Sequence, residues 1–276
     1  MILLSICIPT YNRHEYLKRT LSAVTSQAAA LPDPGQVEIV VSDNASVDAT
    51  PEVVKSFAGP NFTASRNPAN IGGSKNLNKV LELARGRHCW LMGDDDEIYP
   101  GAVKKVLEAV SSHPDAGLFF INYNRKADKG PIIRLPHDMY FKTAEEYVDY
   151  GLSHFDINEW DPAKFTFYTS LVIDREKWLA VPENTHPVIN HAFKIHAFLP
   201  GLPVYLIAEP QLSLNDAPLK IEEGPKSLVG YWGEIYWYMG RRYGRRLGFL
   251  RVILRAYLAN MKFKTLRRLR GLLGKK

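Results

Sequence analysis

Three consecutive aspartates, Asp94, Asp95 and Asp96, follow an apolar segment of the chain. Adjacent carboxylates repel one another unless a cation lies among them. Hard oxygen ligands favour Mg²⁺ or Mn²⁺, and in proteins these ions often bind substrate phosphates as well. The sequence therefore predicts a divalent metal site at these three residues, with a solvated acidic turn as the alternative.

Two further polar clusters follow apolar segments earlier in the chain. Pro-Thr-Tyr-Asn-Arg occupies residues 9–13, and Ser-Asp-Asn-Ala-Ser occupies residues 42–46. A strand-to-helix turn capped by Asn12 would explain the first cluster, and a capping aspartate would explain the second. An N-cap does not explain three successive aspartates, so a metal- or ligand-binding site is the stronger interpretation for the three clusters together.

The elements that would position these clusters alternate along the first 125 residues. Apolar or β-branched segments predict strands at residues 3–8, 37–41, 62–64, 88–92 and 117–123, with helical patterns between them. This alternation predicts an α/β fold with a mostly parallel, Rossmann-like sheet and helices on both faces. Ligands bind outside the carboxyl ends of such strands, so the three clusters are expected to meet at one edge.

Four segments resemble glycosyltransferase family 2 in their order and spacing. They are residues 9–13, residues 42–50, Asn-Ile-Gly-Gly at 70–73 and Gly-Asp-Asp-Asp at 93–96. The resemblance is strong over residues 1–125 and weak over 165–215. It implies a GT-A fold, a nucleotide-sugar donor, a Mn²⁺ or Mg²⁺ cofactor and inversion at the anomeric carbon.

The resemblance also assigns residues to the donor. Asp43 matches the acid that hydrogen-bonds the base, which favours a uracil-type base, and Lys75 is placed where it would also meet a phosphate. The nucleotide-sugar-binding residues implied in this way are Pro9, Thr10, Tyr11, Arg13, Asp43, Asn70, Gly72, Lys75, Asp94 and Asp95.

The aspartate cluster matches the family's Asp-x-Asp-Asp element in two possible registers. If Pro100 sets the register, the family's first aspartate falls on Gly93, and Asp95 and Asp96 are the aligned pair. A direct Asp-x-Asp interpretation selects Asp94 and Asp96 instead. Both registers stay open, and Asp96 is common to them.

The general base departs from the family pattern. The family uses the aspartate of a Glu-Asp pair, and counting back from Glu209-Pro210 places that pair at Ile189-Asn190, where neither residue is acidic. His191 is adjacent and suits proton transfer near neutral pH, although it would also be an ordinary residue of a helix over 191–199. The predicted catalytic residues are His191 and Asp161, with Glu159 and Asp156 as further acidic alternatives.

Composition and charge separate the body from the C-terminal segment. The chain has 276 residues, is 46% hydrophobic and carries a net charge of +6, which excludes a disordered chain or a small disulfide scaffold. Cys7 and Cys89 lie in apolar segments and are interpreted as buried reduced thiols. Residues 241–276 contain 13 Lys or Arg and no acidic residue, whereas the first 240 residues carry a net charge of −7.

This basic segment is predicted to bind an anionic membrane surface. Leucines recur at helical spacing from 247 to 273, and five aromatic residues lie within 231–238. A basic amphipathic helix with aromatic residues at its start is typical of interfacial membrane binders. A helix packed on the catalytic domain is the alternative, and nucleic-acid binding is disfavoured because the acidic body would oppose it.

These observations predict three regions and one function. Residues 1–125 form the nucleotide-sugar-binding half of a GT-A domain, 126–215 its acceptor-binding half, and 216–276 a helical membrane-association tail. The predicted activity is inverting transfer from a nucleoside-diphosphate sugar, with UDP favoured, to a lipid-linked saccharide acceptor in bacterial-type surface polysaccharide assembly. A non-catalytic nucleotide-sugar-binding protein and a sugar nucleotidyltransferase are the alternatives.

The expected location is cytoplasmic and peripheral, on the inner face of the cell membrane. Residues 1–9 are apolar but lack the basic start of a signal peptide. The longest apolar candidate, residues 247–261, is interrupted by Arg251 and Arg255 and is shorter than the roughly 18 residues that a spanning helix needs.

Overall fold

A nine-stranded mixed sheet organises the part of the chain that the structure, a computed structural model, describes: residues 1–125, 131–154, 167–182, 190–214 and 225–248. The strands are β1 (Leu4–Thr10), β2 (Val37–Asp43), β3 (Phe62–Arg66), β4 (His88–Leu91), β5 (Glu97–Ile98), β6 (Leu118–Arg125), β7 (Met139–Phe141), β8 (Leu171–Asp174) and β9 (Val204–Leu214). The α-helices are α1 (His14–Ala29), α2 (Thr50–Ser56), α3 (Gly73–Leu83), α4 (Ala102–Ser112), α5 (Ala144–His154), α6 (Arg175–Ala180), α7 (Asn190–Phe198) and α8 (Pro225–Arg242).

The strand order is β3-β2-β1-β4-β8-β6-β9-β5, with β7 also paired to β9. The first four strands in this order are parallel, and β8 enters antiparallel to both of its neighbours, β4 and β6. Every residue of β2 is buried, and successive strand residues point to opposite faces, so both faces of the sheet are covered there. The predicted α/β fold is confirmed, with its parallel part in the N-terminal half.

The first strand continues beyond its predicted end. The strand was predicted over residues 3–8, but Pro9 and Thr10 also pair in register with Ser42 and Asp43 of β2. Proline fixes φ near the extended range and lacks only the N–H donor, so it is tolerated at a strand end. The Thr10 carbonyl still accepts from the Asn44 N–H at 2.9 Å, which carries the pairing to the end of both strands.

The two cysteines are free and fully buried, as expected. Burial raises the pKa of the Cys7 thiol well above its ordinary value, and the neighbouring Cys89 raises it further. Both therefore pack as small apolar side chains on adjacent strands.

The C-terminal segment joins the core over its described part. Ile235, Tyr236, Met239 and Tyr243 are buried in the same hydrophobic core as the sheet. Tyr236, one of the five aromatic residues within 231–238, is therefore buried, since it is only 5% exposed. Residues 249–276 lie outside the described residues. Over the described ranges, no helix has the length and apolar character needed to cross a membrane.

Candidate functional site

The carboxyl ends of β1, β2 and β4 meet at one edge of the sheet. β1 lies between the other two and is parallel to both, with Thr10 paired to Asp43. The Thr10 hydroxyl donates to Asp94 Oδ2 at 2.7 Å, and this carboxylate follows β4. Two polar clusters that are 84 residues apart in sequence are therefore in direct contact.

Asp94 is a buried carboxylate within an acidic cluster. It is 6% exposed, and the Arg13 guanidinium donates to Asp94 Oδ1 at 3.4 Å and also to Asp95. Burial raises the pKa of Asp94 to about 6; Asp95 and Asp96 add to the rise, while Thr10 and Arg13 oppose it. Negative charge here is incompletely balanced, so either a proton or a cation would stabilise the cluster.

Asp96 is held by a residue that the sequence did not indicate. The Thr169 hydroxyl donates to Asp96 Oδ2 at 2.6 Å and accepts from the Gly93 N–H at 3.0 Å. A Cβ atom at Gly93 would lie 2.5 Å from Asp96 Oδ2. A side chain at position 93, where one family register places the first acid, would therefore require Asp96 or Thr169 to move.

These carboxylates fit a divalent ion that is completed by a ligand. Among the described residues, no three His, Cys, Asp or Glu side chains form a preformed metal cage. Mg²⁺ usually needs only one or two protein carboxylates, with waters and substrate phosphates as its other ligands. Asp94, Asp95 and Asp96 supply hard oxygen atoms beside excess negative charge, so they fit that kind of site.

Asp43 offers a buried acceptor without a hydrogen-bond donor. The side chain is 2% exposed, and its Oδ1 accepts from the Ser46 N–H at 2.9 Å. Its Oδ2 has no hydrogen bond, and Arg66 Nε is 3.6 Å away. A buried oxygen left without a donor costs about 1–3 kcal/mol, so a ligand N–H at this atom would recover free energy.

A buried asparagine ties the strand ends to α3. Asn76 is 2% exposed and accepts from the Ser42 hydroxyl at 2.7 Å and from Asn67 Nδ2 at 2.9 Å. Its own amide donates to the Ser42 carbonyl at 2.9 Å. These contacts involve both the acceptor and the donor group of the amide, a role that the sequence did not reveal.

A second asparagine fixes the loop before α3. Asn44 Nδ2 donates to Asn70 Oδ1 at 2.8 Å, while Asn44 Oδ1 accepts from the Ile71 N–H at 3.0 Å. Asn70 Oδ1 also accepts from the Gly72 N–H, and Gly72 has a φ of +85° that favours glycine. The predicted donor-loop residues Asn70 and Gly72 are thus attached to the strand ends.

The loops after β1 and β2 are interlocked. The alternative in which Asn12 is the N-cap of α1 is wrong, because Arg13 occupies that position. Asn12 instead accepts from the Val47 N–H at 2.8 Å and donates its own N–H to the Ser46 hydroxyl. Asn12 and Ala45 both have positive φ, 53° and 64°, and such strained backbone is typical of functional sites.

Three further predicted donor residues differ in accessibility. Tyr11 is 42% exposed and Lys75, in the first turn of α3, is exposed, so both side chains are open to a ligand. Pro9 is half-buried within β1 and shapes the strand end.

His191 contacts Tyr168, whose phenol lies within reach of the charges of the aspartate cluster. The two rings are edge to face with centroids 6.2 Å apart. Burial raises the pKa of the half-buried Tyr168, and the Asp94 and Asp96 carboxylates raise it further. The Asn190 amide, next to His191, donates to the Ser74 hydroxyl of α3 at 2.6 Å. The residue before His191 is therefore bonded to the first turn of α3, whereas Asp161, Glu159 and Asp156 lie outside the described residues.

The match to a known family covers more than half of the chain. Residues 5–168 match the family described as Glycosyl transferase family 2. The chain therefore belongs to glycosyltransferase family 2, and the resemblance in its four motifs is confirmed.

Individual relatives and solved structures agree with this membership. Abequosyltransferase RfbV of Salmonella typhimurium strain LT2 is 30% identical over 231 residues, which are 76% of this chain and 65% of that protein. S. aureus TarS 1–349 in complex with UDP-GlcNAc gives a TM-score of 0.63 at 16% identity, covering 87% of this chain and 66% of that one. The mannosyltransferase PcManGT from Pyrobaculum calidifontis, in complex with GDP-Man and Mn²⁺, gives a TM-score of 0.59 at 17% identity. The match covers 99% of this chain and 81% of that one. The two structures share the GT-A fold with this chain, which spans about two thirds of the length of the abequosyltransferase.

Proposed function

We propose that this protein is an inverting glycosyltransferase that takes its sugar from a UDP-linked donor. The observation that carries the proposal is the buried Asp43 Oδ2, which has no hydrogen bond, at the edge where Thr10 contacts Asp94. The ring N–H of uracil is a donor that would satisfy this oxygen, and the exposed Tyr11 ring is available to stack on the base.

The donor diphosphate would lie over the cluster of opposite charges. Arg13 and Lys75 supply cations for phosphate oxygens, and Asp96 together with Asp94 or Asp95 would hold Mn²⁺ or Mg²⁺. When bound, such an ion stabilises the negative charge that develops on the departing nucleoside diphosphate. Asp96, held by Thr169, remains a candidate ligand in both registers of the motif.

Transfer needs a base on the acceptor side. The acceptor hydroxyl oxygen bonds to the anomeric carbon as the bond to the β-phosphate oxygen breaks, so the sugar inverts and the diphosphate keeps the electron pair. The hydroxyl proton passes to a base, and we assign this role to His191 because its ring contacts Tyr168 beside the aspartates. Asp161 is the second candidate.

The acceptor is proposed to be a lipid-linked saccharide of surface polysaccharide assembly, at the inner face of the cell membrane. The UDP-GlcNAc bound to TarS supports a UDP-linked donor, and the name of the abequosyltransferase supports transfer of a sugar. The GDP-Man bound to PcManGT makes GDP the alternative nucleotide. Proximity to the membrane is supported by the 13 basic residues of 241–276.

Asp43→Asn tests the assignment of the base-binding residue. The asparagine keeps an acceptor for the Ser46 N–H but places an amide donor where the uracil N–H would bind. We expect UDP affinity, measured calorimetrically with Mn²⁺, to fall about 10- to 100-fold. Glu52→Gln, at an exposed carboxylate of α2, is the matched control and should bind UDP like the parent.

The same titration separates the alternatives. Tighter binding of GDP than UDP, with no loss in Asp43→Asn, would contradict the uracil assignment. Nucleotide binding without release of UDP from any UDP-sugar would favour the non-catalytic alternative. Release of inorganic pyrophosphate from UTP and a sugar phosphate would favour a nucleotidyltransferase.

A further inference from the structure

The end of α8 and the residues after it expose apolar and basic side chains together. Trp237 is 48% exposed and Leu247 is 75% exposed. Trp237 and Arg241 are four residues apart in α8 and therefore lie on the same side of the helix. Arg241, Arg246 and Leu247 line one open cleft of about 470 Å³.

This surface is fixed to the folded body. Gly244, with φ of +68°, ends the helix, and the Arg245 N–H donates to the Gly240 carbonyl at 2.9 Å. Arg245 forms a bidentate ion pair with Asp149 of α5, and a Cβ atom at Gly248 would lie only 3.0 Å from the side chain of Leu152. The exposed side chains therefore have a defined position on the folded domain.

We propose that Trp237, Arg241, Arg246 and Leu247 form a docking surface for an anionic phospholipid bilayer, called here the lipid face. Tryptophan and leucine favour the headgroup and acyl boundary, and arginine binds lipid phosphates through its planar fork of donors. Residues 249–276 add nine Lys or Arg and no acidic residue, which gives the same charge complementarity. The proposal rests on the proposed membrane association and names the folded residues that carry it.

The lipid face is connected to the donor site through α7. Arg242 Nη2 donates to the Ala197 carbonyl near the end of α7 at 2.6 Å, and Tyr243 bonds His196 at 2.9 Å. The other end of α7 carries Asn190, which bonds Ser74 beside the donor loop. The helix has nine residues and is about 13 Å long, so one short helix links the segment that carries the lipid face to the first turn of α3.

Charge reversal tests the basic half of the lipid face in the full chain. Arg241→Glu/Arg246→Glu is compared with Lys55→Glu/Lys104→Glu, which makes the same charge change at exposed residues of α2 and α4. Binding is measured by sedimentation with vesicles of phosphatidylcholine containing phosphatidylglycerol. We expect the first pair to weaken binding about 30-fold or more and the control pair to have a much smaller effect.

Equal weakening by both pairs would overturn the proposal in favour of a non-specific charge effect. No weakening by either pair would overturn it in favour of binding by residues 249–276 alone. Equal binding to pure phosphatidylcholine vesicles would overturn the anionic assignment. If added inorganic phosphate abolishes vesicle binding and sodium chloride of the same ionic strength does not, the surface is a free-phosphate site instead. Release of UDP measured without vesicles should be unchanged, so a failed docking surface is distinguishable from a failed catalytic assignment.

Fluorescence tests the apolar half. Trp237 should enter a drier environment on docking, so vesicles are expected to shift tryptophan emission to shorter wavelength in the parent protein but not in Trp237→Phe. Leu247→Ser should weaken vesicle binding severalfold. An unchanged shift in Trp237→Phe together with full binding by Leu247→Ser would overturn the insertion of these side chains.

Discussion

The two halves of the domain build their parts of the site differently. In residues 1–125, the site side chains lie at the ends of adjacent parallel strands and bond one another, as Thr10 does with Asp94. In the second half, single side chains reach the cluster from other elements, as Thr169 does from the turn before β8 and His191 through Tyr168 from α7. Strand topology therefore assembles the donor side, whereas helix and turn packing assembles the other side.

The pKa shifts of one buried titratable group in each half also have opposite directions. Burial and neighbouring carboxylates raise the pKa of Asp94 to about 6, so its charged form is disfavoured in the folded protein. Burial lowers the pKa of His196 on α7 to about 3, so its charged form is disfavoured as well. One group resists losing a proton and the other resists gaining one.

Of the changes proposed here, Asp96→Ala should lower activity on the donor side the most. Removing a carboxylate common to both registers of the motif is expected to lower UDP release about 10²- to 10³-fold, because charge stabilisation in the transition state is lost. The measurement is UDP release at saturating donor with Mn²⁺, with Glu108→Ala at an exposed residue of α4 as the control. Comparing Asp94→Ala and Asp95→Ala then selects the register. Activity retained in Asp96→Ala would contradict the metal assignment.

The opposed pKa shifts predict compensating pH effects between about pH 4 and 6. Folded Asp94 has the higher pKa, about 6 against 3.8, so its contribution to stability falls as pH rises through this window. Folded His196 has the lower pKa, about 3 against 6.5, so its contribution falls as pH drops through the same window. Each contribution changes by about 1.4 kcal/mol per pH unit, and the two oppose each other.

Single variants should expose each contribution. In chelator, Asp94→Asn should lose stability faster than the parent from pH 6 to 4, and His196→Gln should gain stability relative to the parent over that range. The free energy of unfolding from urea titrations at several pH values is the measurement. Identical pH slopes in the parent and both variants would contradict the burial of these groups.

Thr169→Val tests the link between the halves. The valine is similar in size but leaves the buried Gly93 N–H and Asp96 Oδ2 without their shared partner, at a cost of about 2 kcal/mol in unfolding free energy. Thr63→Val, in the edge strand β3, is the control and should change stability by less than about 0.5 kcal/mol. Equal effects would mean that the Thr169 hydroxyl is unimportant.

Tyr243→Phe, just after α8, should have the smallest effect and should change stability alone. It removes the hydroxyl that bonds His196 Nδ1 at 2.9 Å, for about 1 kcal/mol of stability, while UDP release stays unchanged. If UDP release falls by more than the loss of stability explains, packing at α8 also affects the site. That result would weaken the contrast between the halves.

Much of the donor side was predictable because the pattern is local. Apolar strands followed at once by Thr10, Asp43 and Asp94 are readable in sequence, and parallel strands bring their carboxyl ends to one edge. The base side was less predictable, because the family's acidic pair is absent and the substitute must be found by position. His191 was reached only by its proximity in sequence to that missing pair.

The sequence by itself determined the α/β class, the family and the edge of the sheet where its polar residues collect, since strand periodicity and the residues just after each strand encode them. Only the tertiary structure decided that Thr169, 73 residues beyond Asp96, holds that carboxylate, and that a Cβ atom at Gly93 would crowd it. It also decided that Tyr236 and Tyr243 pack into the core. Such contacts depend on which distant segments fold against each other, and periodicity along the chain carries no record of that pairing.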